Sequence, residues 1–375
     1  MKLTFHRETC LAWLASAELS PETLMDIFEH EQEPVRVYES FAAQGKLPGD
    51  IPLNGRIRQL LLHNSADRVM HEFARHIEQH EIKAITAFDS SYPQKLIGIP
   101  DAPIILFYQG KLSALNSRTV SIVGSRNASY KGMEATEKIS EKLSNHGVAI
   151  VSGLAYGIDS ASHQGCLKGN SPTVAVLGCG LDQNYPAENA GLRRSILQQG
   201  GLILSEYAPG DKPLARHFPW RNRIISGLGD CVILMEARIR SGSMTTVQHA
   251  LNQGKDVFVY PGEPGNPKYE GNHQLLREGA IYFTSAEDLL EDMGWLDKKP
   301  DVRQNTKETQ ALLQQLTPTE AKVLQVLENE EMSFDRLCLI TGLPASELNA
   351  ALSLLQIYGL IQPMPGKTYC RTQEK

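Results

Sequence analysis

Four short segments of this chain are rich in glycine, three of them with hydroxyl side chains, and each follows an apolar run. They are Gly124-Ser125-Arg126-Asn127, Ser152-Gly153 through Gly157-Ile158-Asp159, Gly178-Cys179-Gly180 and Ser241-Gly242-Ser243. Small residues let a ligand approach the backbone, and amides at a helix start with hydroxyls beside them make a phosphate cradle. Arg126 adds a cation that can fork onto a phosphate. A fifth segment, Ala215 to Gly227, places Arg216, Arg221 and Arg223 within eight residues, interleaved with Phe218 and Trp220. Arginine for phosphates beside aromatics for bases is the pattern of a single-strand groove. A helix whose arginines meet carboxylates and whose Trp220 packs in the core explains that composition equally well. Tight turns alone explain Gly124 and Gly153. They do not explain an arginine and several serines on one edge, and that coincidence favours phosphate binding.

The elements that must position these residues alternate between strand and helix. Thr119 to Val123 is a β-branched apolar run of the kind buried on both faces of a sheet, and Val148 to Val151 is a second. Between them lies a helix with Met133, Ile139 and Leu143 on its apolar side, ended by His146-Gly147. Further strands are expected at Thr173–Leu177, Leu202–Leu204, Cys231–Met235, Asp256–Tyr260 and Ile281–Phe283, and a helix at Met244–Asn252. The pattern predicts an α/β fold, a doubly wound, mostly parallel Rossmann-like sheet whose strand ends share one ligand edge.

The chain has 375 residues, enough for two or three domains. Residues 1–80 read as a small acidic helical domain, with 8 basic and 12 acidic residues and a helix start at Ser20-Pro21-Glu22. Residues 81–296 comprise a proline-broken connector, with an edge strand expected at Ile104–Tyr108, and the α/β domain. Residues 297–314 form a polar linker, and 315–375 a three-helix module with a terminal hairpin, a winged-helix pattern. Its helices are expected at Glu320–Glu328, Ser333–Thr341 and Ala345–Tyr358; its hairpin pairs Gly359–Ile361 with Lys367–Tyr369. The third helix holds no Lys or Arg, so it lacks the cations that supply most duplex affinity.

Net charge is −6, so any polyanion site is local; Arg118 to Ser226 carries 12 basic against 8 acidic residues. No run of 18 apolar residues occurs and the N-terminus lacks a signal-peptide core, so no membrane contact is expected. The six scattered cysteines read as reduced thiols of a cytoplasmic protein.

Catalytic candidates are thin. Asp159 and Glu206 are single carboxylates, Cys179 reads as an inert thiol, and Glu236 as a partner for the arginines. His76 and His80 share a helix face without converging ligands, so no metal is expected. The GxGxxG fingerprint and the P-loop are both missing, which disfavours a dinucleotide or nucleoside-triphosphate cofactor. No cofactor is expected.

Taken in order, Val123-Gly-Ser-Arg126, Val151-Ser-Gly-Leu-Ala-Tyr-Gly-Ile-Asp159, Val176-Leu-Gly-Cys-Gly180, Phe218-Pro-Trp-Arg-Asn-Arg-Ile-Ile-Ser-Gly-Leu228 and the block from Ala237 to Thr246 resemble the DNA-processing protein A family, also called DprA or Smf. The likeness spans about residues 85 to 292, and the flanking domains fit the three-part layout of some members, with a SAM-like N-terminal domain. The resemblance implies a non-enzymatic protein of natural transformation (competence) and DNA recombination. It would bind and protect single-stranded DNA, help load the RecA recombinase, and act as a homodimer. It implies a DNA pocket of Gly124, Ser125 and Arg126 with Phe218, Arg221, Asn222 and Arg223, on a floor shaped by Gly153 and Gly157. Ser152, Ser241, Gly242 and Ser243 join the same edge. Charge reversal at Arg126 or Arg221 is then expected to abolish binding and spare the fold. The rival is a nucleotide-handling enzyme of the phosphoribohydrolase-like group, whose Pro-Gly-Gly-x-Gly-Thr loop is replaced here by Ser241-Gly-Ser-Met-Thr-Thr246.

Overall fold

A computed structural model describes residues 5–296, 316–327, 331–357, 360–364 and 368–371. They form two compact units, 1–292 and 293–375.

In the first unit the helices α1 (Arg7–Ala15), α2 (Pro21–His30), α3 (Pro34–Gln44), α4 (Gly55–Asn64) and α5 (Asp67–Gln79) precede a nine-stranded sheet. Its strands are β1 (Lys83–Thr86), β2 (Ile105–Gly110), β3 (Arg118–Val123), β4 (Val148–Ser152), β5 (Thr173–Leu177), β6 (Leu202–Ser205), β7 (Cys231–Leu234), β8 (Asp256–Val259) and β9 (Ile281–Tyr282). The intervening helices are α6 (Tyr130–Asn145), α7 (Ile158–Lys168), α8 (Ala190–Gln198), α9 (His217–Leu228), α10 (Gly242–Asn252), α11 (Glu270–Arg277) and α12 (Ala286–Asp292). Strand order is β1-β2-β6-β5-β4-β3-β7-β8-β9. The stretch from β6 to β9 is parallel, and β2 joins β6 antiparallel.

The apolar runs explain the layers. Ile105 and Phe107 point into one core with Ala175, Leu177 and Ile203, while Leu106 points into the other with Val174, Val176 and Leu204. The first core also holds Trp13, Phe28 and Phe41, so α1–α5 cover one sheet face and the boundary expected at residue 80 divides a shared core. Trp13 is buried and donates its Nε1 to the Leu61 carbonyl at 3.0 Å, which satisfies the indole inside that core. The edge strand expected at Ile104–Tyr108 is an inner strand. The edge on that side is β1, whose four residues are too few to show a period of two.

From β3 the chain winds one way through β4, β5 and β6, then crosses back to place β7 on the other side of β3. The loops after β3 and β7 therefore leave the sheet in opposite directions and open a crevice between them, the topological switch point of a doubly wound sheet. The return crossing is α9, locked onto β3 by Ser121 Oγ donating to the Ile225 carbonyl and Thr119 Oγ to that of Leu228, both at 2.6 Å.

The second unit holds α13 (Pro318–Val326), α14 (Phe334–Thr341), α15 (Ala345–Ile357) and a sheet in the order β10 (Met332–Ser333), β12 (Thr368–Arg371), β11 (Ile361–Met364). A capping box of Thr317 and Glu320 starts α13. Leu324, Leu337, Leu348, Leu352 and Leu355 form its core. The expected polar linker and the residues Glu328, Tyr358, Gly359 and Lys367 lie outside the described residues.

Candidate nucleic-acid interface

The switch-point crevice holds a cavity of about 610 Å³. That volume lies in the range of pockets that enclose a small organic ligand and accommodates a nucleotide. Its wall includes Gly124, Ser125, Arg126, Asn127, Phe218, Arg221, Asn222, Ser241, Gly242 and Ser243. Loops after β3 and β7 and the start of α9, remote in sequence, thus meet at one place.

The β3–α6 turn is shaped by close approach. A Cβ on Gly124 would lie 2.5 Å from the Ile158 side chain, and one on Gly157 (φ +72°) 2.3 Å from the Ser125 carbonyl oxygen. The two loops pack without room for either, and the contact presents Arg126 outward. Arg126 is exposed, and its guanidinium carbon lies 5.1 Å from the centre of the Phe218 ring. The amides of this turn are largely consumed: Ser125 donates its N–H to the Glu236 carbonyl at 2.7 Å, and Asn127 to Ser125 Oγ at 3.1 Å.

Glu236 does not pair with the arginines. It is buried at the start of α6, where its carboxylate accepts the Ser129 N–H at 3.0 Å and the Ser129 hydroxyl at 2.5 Å. The protein's own anion therefore fills that helix terminus. The start of α10 differs. Ser241 is its N-cap without a side-chain cap, and its Oγ lies 2.6 Å from Ser243 Oγ on the cavity wall. The β7–α10 loop thus brings to the cavity a helix start that no side chain caps, on the same wall as Arg126.

The arginine block divides. Arg216 is exposed, 3.2 Å from Glu18. Arg221 touches the cavity but is only 3 % exposed; its Nη1 donates to the Gly153 carbonyl at 3.1 Å and to that of Val176. Burial lowers its pKa to about 10, with the nearby Asp159 carboxylate opposing the shift. Burial likewise pushes the Asp159 carboxyl up, against the Arg221 guanidinium. A Cβ on Gly153 would sit 2.7 Å from both side chains, so glycine there admits the pair. A buried arginine knitting β4 to β5 cannot be reversed in charge without disturbing the fold, and this replaces the expectation that Arg221→Glu spares it.

Arg223 is not on the cavity wall. It is 1 % exposed, bonded to Glu206 at 2.5 Å and to the Asp101 carbonyl at 2.8 Å, and its guanidinium lies 4.2 Å from the Trp220 ring centre. Positions i and i+2 of one helix lie about 200° apart around its axis, so Arg221 and Arg223 cannot be aimed the same way. Ser152 is also off the wall: its buried Oγ donates to the Ile122 carbonyl at 2.7 Å and ties β4 to β3. Gly153 borders a narrow slot beside the cavity, and Gly157 supports the loop contact.

Cys179 is buried and its thiol is pushed up to about 11, chiefly by burial, so it holds little thiolate near neutral pH. The His76 Nδ1 lies 3.1 Å from an Asp182 carboxylate oxygen. The wall also carries Asp159, read from the sequence as a lone carboxylate on this edge; sequence reasoning overlooked Tyr185 and Thr246 there, and Arg238 and Arg240 just before Ser241. Both arginines are exposed and join no ion pair among the described residues. A pair of cations two apart in a loop was the available signal; Tyr185 carried none, because nothing in its neighbourhood is basic.

Two family models match the chain: DNA recombination-mediator protein A over residues 83–294, and the DprA winged helix domain over residues 307–367. Protein Smf of Escherichia coli is 39% identical over 291 residues, covering 77% of this chain and 78% of that one. DNA processing protein DprA of Streptococcus pneumoniae is 44% identical over 213 residues, 57% of this chain and 75% of that one. The X-ray structure of the Streptococcus pneumoniae protein superimposes with a TM-score of 0.64 at 34% identity, over 78% of this chain and 99% of that one. A structure of Helicobacter pylori DNA processing protein A, described for its single-stranded DNA binding mode, gives 0.52 at 28% identity over 57% and 95%. The cavity at the switch point, its Gly-Ser-Arg turn and its arginine helix lie inside the first matched region, and the chain belongs to the DNA recombination-mediator protein A (DprA/Smf) family.

Proposed function

We propose that this chain binds single-stranded DNA in the switch-point cavity. The observation that carries the reading is the meeting of an exposed Arg126, the aromatic Phe218 and the uncapped start of α10 around one cavity of nucleotide size. Phosphates sit between Arg126 and the Ser241–Ser243 loop, and a base lies against the aromatic side. The single-stranded DNA binding described for the Helicobacter pylori relative supports the same ligand here. Arg221 and Asp159 hold the wall in place from beneath.

Protection of the strand, recombinase loading onto it during transformation, cytoplasmic action and a homodimeric state complete this reading, and family membership supports them. Binding without turnover is supported by the fate of the catalytic candidates: Cys179 is buried and protonated, and Glu236 is spent on a helix start. A Z of roughly 3 to 4 phosphates predicts a log–log salt slope of about −2 to −3.

The test is fluorescence anisotropy of a labelled oligonucleotide of about 30 nucleotides, single-stranded against duplex, at two salt concentrations. Salt-sensitive binding that prefers the single strand is expected. No binding at low salt by a folded sample, with turnover of a nucleoside monophosphate, would replace this reading by the hydrolase one.

A further inference from the structure

The cavity has an aromatic wall that the arginine block does not explain. Tyr185 lines it, is 40% exposed, and its ring centre lies 5.3 Å from that of Phe218 at an interplanar angle of 36°. Phe218 is the less accessible of the two, because its ring packs over Gly178, where a Cβ would come within 3.0 Å, and beneath Arg126. Tyr185 therefore offers the larger free aromatic surface. Its hydroxyl has no hydrogen-bond partner among the described residues, so the ring is not held there by a polar tether.

The segment that carries Tyr185 is pinned at both ends. On its N-terminal side, the buried Arg193 donates to the Gln183 carbonyl at 2.7 Å and to that of Leu181, and Asp182 accepts the Gly210 N–H at 2.8 Å. On its C-terminal side, Asn189 Nδ2 donates to the Leu154 carbonyl at 2.8 Å and to Ser160 Oγ at 2.9 Å. Five polar bonds, four of them buried or half-buried, hold that exposed ring at a fixed place over the cavity. Exposed rings cost solvation, and an aromatic fixed beside a second ring is a platform for a planar partner.

We propose that Tyr185, with Phe218, forms a stacking site for a nucleobase of the bound strand. The inference rests on the DNA reading above and assigns the base to the β5–α8 side of the cavity, opposite the phosphate contacts of the Ser241–Ser243 loop. Stacking does not depend on base identity, since every base has a π-face. It is also independent of counterions, which separates it from the arginine contacts.

The experiment measures wild type, Tyr185→Phe and Tyr185→Ala by anisotropy on two oligonucleotides of equal length, oligo-dT and an abasic phosphodiester strand, across a salt series. Unfolding temperatures establish that each variant is folded. Tyr185→Ala is expected to lose roughly 5- to 150-fold in affinity for oligo-dT, to keep its affinity for the abasic strand, and to keep the wild-type salt slope. Tyr185→Phe is expected to match wild type. Equal losses on both strands, or no loss on either, overturn the stacking role. Wild type that binds neither strand instead defeats the DNA reading itself, so the two failures are distinguishable.

Discussion

Arg126 and Arg223 are the same residue type in two motifs of one domain, and the fold uses them in opposite ways. Arg126 stands exposed on the β3–α6 turn, without an ion pair among the described residues. Arg223 is enclosed between α9, the Asp101 carbonyl and Glu206, with its charge compensated at 2.5 Å. Arg221 lies between these extremes, on the cavity wall yet buried. What separates ligand from scaffold is whether the desolvation of the guanidinium has already been offset inside the protein. An arginine spent on carbonyls and a carboxylate has few donors left for a phosphate.

The sharpest break of that contrast is Arg223→Ala. Glu206 is left without its partner, and stability should fall by roughly 3–5 kcal/mol, measured by urea unfolding. Affinity of the remaining folded protein for single-stranded DNA should not change. A stable variant with weakened DNA binding would place Arg223 among the ligand residues after all.

Next comes the buried layer around Arg221. His163 is fully buried, its Nδ1 lies 2.7 Å from Thr173 Oγ1, and burial lowers its pKa to about 3, with Arg221 adding to the shift. Its folded value lies below the unfolded one. The unfolded chain therefore takes up the proton first, and stability is lost as pH falls from about 6.5 towards 3. For this group the loss is about 3 kcal/mol by pH 4. Comparing the pH dependence of unfolding in wild type and His163→Gln isolates it, and the variant should show the shallower acid decline.

Arg126→Glu should lower single-strand affinity by about 10- to 100-fold, through a lost and a reversed phosphate contact, with the unfolding temperature within a few degrees of wild type. The smallest effect is expected on the loop before α10. Arg240→Ala should weaken binding only a few-fold, and flatten the log–log salt slope by about 0.7. An unchanged slope would move the phosphate path away from that rim.

The apolar runs determined the strands, because a segment buried on both faces must be continuously apolar, and β5 is found at the expected Thr173–Leu177. Glycine, proline and cap residues determined the helix ends, as at Thr317-Pro318-Thr319-Glu320. The serine and glycine loops were also expected on one shared edge, because parallel strands must end on the same side. The strand order could not be read this way, and only it brings the loops after β3 and β7 together at a switch point. Nor could the fate of a given charge. Whether Glu236 faces an arginine or a helix start, and whether Arg223 meets solvent or Glu206, depends on partners 107 and 17 positions away. Local composition names the chemistry available to a segment; long-range packing decides which of it remains unspent for a ligand.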